Sequence, residues 1–193
     1  WKISVVDANH FPAGFNNISA EDKPSLAALL KSHIQREFKH CQWVHLYPES
    51  HTRNKGYVEN LIALKELLEV TGFKCTVGSV DFEELGHLIG ISGALKLDQV
   101  ESKETDGEDI LLIDGQTPDL ILLNNDLTEG IVEGLGSQIV SPPPSMGWHR
   151  RRKSQHYEVL REYVEEISQL IGIDPWHFMA DWLSLPFMAS SGG

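Results

Sequence analysis

Cysteine is scarce in this chain. Cys41 and Cys75 are the only two in 193 residues and have no CxxC spacing, which leaves no disulfide framework and reads as a pair of reduced thiols. No apolar run approaches the roughly 20 residues of a membrane span, and Ile3 to Val6 is too short for a signal-peptide core. Basic residues are outnumbered: 16 Lys and Arg face 28 Asp and Glu, for a formal net charge of −12. That balance argues against nonspecific nucleic-acid binding, which needs a broad basic field to displace counterions. Neither GxGxxG nor GxxxxGK[ST] occurs, so no familiar phosphate-cradling loop is present. HExxH and close His/Cys pairs are missing, which argues against a structural zinc. No GxSxG, and no nucleophile beside an evident base, marks a catalytic centre. An initiator Met is also lacking, from which a chain processed or trimmed at its front is expected.

What is present is an ordinary globular composition, 41% hydrophobic, enough for one large domain. "KISVVD" (2–7) reads as a buried strand. Pro24 suits the first helical position, and Leu26, Leu29, Leu30, His33, Ile34 and Phe38 follow at helical spacing. "QWVHLY" (42–47) is a second strand. Residues 57–71 form a second helix, with Val58, Leu61, Ile62, Leu64 and Leu68 on its apolar side and Gly72 as its C-terminal cap. "FKCTVGSV" (73–80) is a third strand, while 81–93 is ambiguous, with "DFEELGHLIG" able to form a short helix. "ALKLDQV" and "EDILLIDG" flank the polar stretch "ESKETDG" and predict a hairpin turning at Gly107. "DLILL" (119–123) is a strand buried on both faces, "SQIVS" (137–141) a weaker one. Tyr157, Leu160, Val164, Ile167 and Ile171 mark a final long helix that stops at Gly172. The alternation predicts an α/β fold, a mainly parallel sheet with helices on both faces and a small β-hairpin insertion.

In open α/β sheets, ligands bind outside the carboxyl ends of the strands. The unusual polar residues cluster there. The first strand runs into Asp7, Asn9, Asn16 and Asn17; the second into Glu49, His51, Arg53 and Asn54. "DLILL" leads to Asn124, Asn125 and Asp126. The weak strand leads through "SPPPSMGW" to His149 and three arginines. Within "GWHRRRKSQHY" (147–157), the cations stand at the start of the last helix, where the helix dipole disfavours positive charge. A helix N-terminus binds anions through its free N–H groups, and guanidinium forks suit carboxylate or phosphate. A bound anion would offset the misplaced charge, so an anion pocket is expected at these arginines and the helix start, with Arg53 arriving from the second strand.

The stretches "VDANHFPAGFNN" (6–17), "YPESHTRNKGYVENLIAL" (47–64), "DLILLNNDL" (119–127), "GWHRRRKSQHY" (147–157) and "IGIDPW" (171–176) together resemble the proteobacterial-type glutamate–cysteine ligase family. The resemblance implies ATP-dependent joining of the L-glutamate side-chain carboxylate to the amine of L-cysteine, the first step of glutathione synthesis. It also implies ATP and Mg²⁺, held mainly outside these residues, and a cytoplasmic setting. The fold implied is a Rossmann-like front domain of an ATP-grasp-type ligase. Residues 1–172 would be the substrate-side domain and 173–193 a linker or the start of an ATP-binding region. Transferred residue by residue, Arg151, Arg152, Lys153, Ser154, Arg53 and Asn54 would hold substrate carboxylates or an acyl phosphate, with His149 beside them. Asp7, Asn9, Asn16 and Asn17 would read an α-ammonium or amide, while Asn124, Asn125 and Asp126 close the floor. No catalytic residue, metal ligand or oligomeric state is assigned. The competing expectation is a small-anion binding module with no catalytic half, and neither nucleic acid nor membrane is expected as a partner.

Overall fold

A computed structural model describes residues 2–3, 11, 13–49, 54–82, 86–128, 130–147 and 153–179, the first two residues of the last range by backbone alone. The chain divides into two compact units, residues 9–149 and residues 1–8 with 150–193.

The larger unit is built on a four-stranded parallel sheet. Its strands are β1 (Trp43–Pro48), β2 (Lys74–Val77), β7 (Leu120–Asn124) and β8 (Val140–Ser141), in the order β2-β1-β7-β8. Two hairpins lie outside it: β3 (His87–Ile89) with β4 (Ala94–Lys96), and β5 (Val100–Thr105) with β6 (Glu108–Ile113). The expected α/β fold with a mainly parallel sheet is what the chain adopts. The run 2–7 lies largely outside the described residues.

Side chains alternate across the strands and feed two cores. Val44, Leu46 and Leu120 face helices α1 (Lys23–Glu37) and α2 (Lys55–Val70) and the β3–β4 hairpin, which contributes Leu95 and nearby Leu97. Tyr47, Ile121 and Leu123 face the other way, against Leu111 of β6 and against Leu127 and Leu135 of the β7–β8 connection. Leu61, Leu64 and Leu68 of α2 have no exposed surface, each contributing about 2 kcal/mol by burial. Helix α2 ends as its sequence requires. Gly72 takes φ +97°, its N–H reaches the Glu69 carbonyl, and the Phe73 N–H reaches that of Leu68. That is the Schellman arrangement, with Phe73 and Leu68 both in the first core.

Several expectations need correction. In α1 the buried stripe is Ala27 and Ile34 with Leu30 and Phe38 packed beside them, while Leu29 and His33 are exposed. The helix carries leucines on two sides, and only one side can face the sheet. Strand β2 covers only four residues of the eight expected. In the stretch 81–93, which the sequence leaves ambiguous, residues 87–89 form a strand. Gly90 and Gly93 close a tight turn through a 2.8 Å backbone hydrogen bond, and the Glu59 carboxylate of α2 accepts from Ile91 and Ser92 N–H, both at 2.9 Å. The polar stretch 101–105 is itself strand β5, exposed nearly throughout. Asp106 and Gly107 both have positive φ, the two-residue hairpin geometry that an Asp-Gly pair favours. The turn fixes the register, and β6 supplies the apolar contacts.

One polar side chain is fully buried in the sheet. His45 Nδ1 lies 2.9 Å from Thr76 Oγ1, which also accepts from Trp43 Nε1 at 2.8 Å. The hydroxyl therefore donates to Nδ1, and Nε2–H donates to the Gly78 carbonyl at 3.1 Å. This network assigns one neutral tautomer, and burial pushes the His45 pKa down to about 4.

In the smaller unit, α3 (Lys153–Ile171) leads into a 3-10 turn at Pro175–His177. The Asp174 carboxylate caps that turn at Trp176 N–H, the Ile3 N–H donates to the His177 carbonyl, and the Lys2 ammonium lies over the Trp176 ring. Val164 and Ser168 of α3 are buried, whereas Ile167 and Ile171, expected on the packed side, are more than half exposed.

Candidate functional site

The strand order itself marks a location. From β1 the chain leaves through α2, on the first face of the sheet, and returns as β2 on one side. From β7 it leaves through residues 125–139, on the second face, and returns as β8 on the other side. The connections diverge between β1 and β7, which makes the carboxyl ends of these two strands the topological switch point, the place at which open α/β sheets bind ligands. The register pairs Pro48 with Asn124 there.

The residues at this point are tied together closely. The Tyr57 hydroxyl, in the first turn of α2, accepts from the Glu49 N–H at 2.9 Å and donates to the Asn124 carbonyl at 2.6 Å. Burial pushes the Tyr57 pKa well up, so the phenol stays protonated. The Asn125 carboxamide donates to the Pro48 carbonyl at 3.2 Å and accepts from the Leu127 N–H at 2.8 Å, which holds Leu127 at φ +50°. Asn124 is buried. The half-buried Glu49 carboxyl sits near Asp126. Its pKa is raised first by burial and then by the Asp126 charge, with the Asp126 backbone N–H acting in the opposite direction. Two carboxylates at this separation disfavour each other's ionised form, and a primary ammonium between them would relieve that cost.

The structure brings some of the expected site residues together and not others. Asn124, Asn125 and Asp126 stand together at the switch point. Asn54 is the N-cap of α2, its side-chain oxygen accepting from Gly56 and Tyr57 N–H at 2.9 and 3.4 Å. Asn16 and Asn17 lie in a 3-10 turn (Phe15–Asn17) fastened to α2 by a 2.9 Å bond from the Phe15 N–H to the Asn60 carboxamide. Phe11 is buried in the second core and Phe15 packs against the first. Asp7, Asn9, Arg53, His149, Arg151 and Arg152 lie outside the described residues, and Lys153 and Ser154 are described only as the opening backbone of α3. Sequence reasoning missed Tyr57, which at helical spacing looks like one more core residue. It placed Glu49 at the strand end without a role.

At the opposite end of the sheet a cleft of about 630 Å³ is lined by Cys41, Asp119, Ile110 and Gln138 among others. It has a structural explanation. The Asp119 carboxylate accepts from Gln42 and Trp43 N–H at 2.9 Å each, and burial pushes the Cys41 thiol up to about 11, away from the reactive thiolate. Among the described residues no three His, Cys, Asp or Glu side chains converge as a metal would require. No described helix is long and apolar enough to cross a membrane.

Comparison with known proteins bears on the family and the fold. Residues 1–189 match the family model described as glutamate-cysteine ligase. The chain is similar to a solved structure from Methylobacillus flagellatus KT, provisionally described as a gamma-glutamylcysteine synthetase, with a TM-score of 0.73 and 32% identity. The match covers 92% of this chain but 42% of that one, so the chain spans less than half the length of its structural relative. No curated protein matches.

Proposed function

Because the chain belongs to the glutamate-cysteine ligase family, we propose that it is the substrate-side part of an ATP-dependent ligase that joins the side-chain carboxylate of L-glutamate to the amine of L-cysteine. The observation that carries this reading is the polar switch point, where Glu49, Asn124, Asn125 and Asp126 line the divergence of β1 and β7. An amino-acid substrate has an ammonium that the Glu49–Asp126 pair can neutralise and carboxylates that carboxamides and basic residues can orient. In this reading Asp7, Asn9, Asn16 and Asn17 come to the same crevice, and Arg53, Asn54, His149, Arg151, Arg152, Lys153 and Ser154 supply the anion-binding side.

Bound ATP would supply the phosphoryl group that activates the glutamate carboxylate, with Mg²⁺ neutralising charge on it. We assign the nucleotide and its metal to an ATP-grasp-type region outside this chain. What these residues do is hold the acceptor carboxylate in place, keep the phenol of Tyr57 protonated at the crevice wall, and present the cysteine amine to the activated carbonyl. Residues 1–172 form the Rossmann-like substrate-side domain and 173–193 the passage toward the nucleotide region. The polypeptide alone binds substrate without turnover. A reaction drawing on ATP and free amino acids places the enzyme in the cytoplasm.

Titration calorimetry with glutamate, cysteine and phosphate tests the reading. The wild-type chain is expected to bind at least one of them, and Arg151→Ala/Arg152→Ala to weaken that binding by at least about tenfold, the loss of one charge-assisted contact. Absence of binding to all three, or an unchanged affinity in the double variant, would overturn it.

A further inference from the structure

Helix α3 is apolar over more of its circumference than the structure covers. At 3.6 residues per turn, Val159, Leu170, Tyr163, Ile167 and Ile171 fall within a sector of about 120°, and every one of them is more than half exposed. The adjoining sector carries Val164 and Ser168, both buried. The helix is therefore amphipathic with half of its apolar face packed and half in water. A single exposed leucine needs no explanation, but a contiguous stripe of five large side chains along a helix marks an interaction surface. Ile173 and Trp176, which follow the helix in the chain, are also exposed.

We infer that this stripe is the docking face for the part of a family-length ligase that has no counterpart in these 193 residues. The inference rests on the reading of the chain as the substrate-side part of such an enzyme. Three observations select that occupant. The match to the Methylobacillus protein uses 92% of this chain and 42% of the other, so more than half of that longer polypeptide must pack somewhere. Exposed apolar residues also follow α3 along the chain, at Ile173 and Trp176. A second copy is disfavoured by charge. Glu162 and Glu166 border the stripe one turn apart, so pairing two such faces would bring acidic rows together on chains of net charge −12 each. The partner surface is accordingly apolar at its centre and basic along the rim that meets Glu162 and Glu166.

The same substitution separates the outcomes in two proteins. In this chain Ile167→Asp/Leu170→Asp changes only exposed side chains, so its melting midpoint and its sedimentation as a monomer should be unchanged. In the full-length Methylobacillus protein, aspartates at the two aligned positions should open a buried interface and lower the melting midpoint by at least about 5 °C. An unchanged midpoint in the longer protein would overturn the inference. So would a dimer of this chain that the double substitution dissociates, since the occupant would then be a second copy. Calorimetry of glutamate, cysteine and phosphate with the Ile167→Asp/Leu170→Asp chain keeps the two readings apart. Unchanged binding with no effect in the longer protein defeats the docking face alone, whereas no binding of any of the three by the wild type defeats the ligase reading on which the docking face rests.

Discussion

The Tyr57 hydroxyl and the Asn124 carbonyl, 2.6 Å apart, join the first turn of α2 to the last residue of β7. With the second bond from the Glu49 N–H, one phenol fastens the ends of both central strands. Tyr57→Phe removes both bonds, the one from the Glu49 N–H and the one to the Asn124 carbonyl, in a part-buried place. The expected cost is about 1–3 kcal/mol, read as a lower urea midpoint at unchanged slope. Ligand affinity at the crevice should fall with it. A variant as stable as wild type would mean that the strand ends are held by something else.

The carboxyl-end residues were visible as polar tips on apolar runs, because a strand buried on both faces advertises its ends: "DLILL" gives way abruptly to Asn124, Asn125 and Asp126. The Asp106–Gly107 turn and the Gly72 cap were legible for the same local reason, a backbone conformation that few residues adopt. What could not be read was partnership over distance. Nothing in the spacing of Tyr57 separates it from the core residues around it, and its role comes from Asn124 being brought beside it by the β1–β7 pairing. The side of α1 that packs was likewise undecidable between two sets of leucines. The strand at 101–105 was hidden because a hairpin whose register is set by its turn needs no apolar alternation on the exposed partner.

His45 makes stability depend on pH. Its folded pKa, lowered by burial to about 4, lies below the ordinary 6.5 of an unfolded histidine. Between these values the unfolded chain binds more protons than the folded one, so the contribution is fully present above about 6.5 and lost as pH falls toward 4. The size of the effect is on the order of 3 kcal/mol, from 1.36 kcal/mol per unit of pKa difference. His45→Gln keeps a donor toward the Gly78 carbonyl and removes the titration. Its denaturation midpoint should vary less with pH between 4 and 6.5 than that of wild type. Equal slopes for the two proteins would show that the buried ring is not what titrates.

Glu49 acts with the opposite sign. Its pKa is raised from the usual 4.5 by burial and the neighbouring Asp126, so the folded state holds this proton more tightly and stability falls as pH rises through the carboxylate range. Glu49→Gln should therefore melt higher than wild type at neutral pH, with the gap closing near pH 4. If the pair receives a substrate ammonium, the stabilised variant should also bind glutamate more weakly. A gain in stability with no loss of binding would assign the strain to the fold rather than to the site.

Asn54 offers a choice between two roles that one pair of variants separates. Its side-chain oxygen accepts from Gly56 and Tyr57 N–H, and its backbone, at φ −82° and ψ 104°, has the extended geometry of an N-cap. Asn54→Ala should cost about 1 kcal/mol, and Asn54→Ser should recover most of it, because a serine hydroxyl can cap the same N–H groups. A residue that only caps would leave ligand affinity in the serine variant at the wild-type value. A residue that also grips the substrate anion would lose affinity in both variants, since a serine oxygen reaches no further than the helix end. Chemical denaturation and calorimetry on the same two proteins decide the matter, with the serine variant's affinity as the discriminating number.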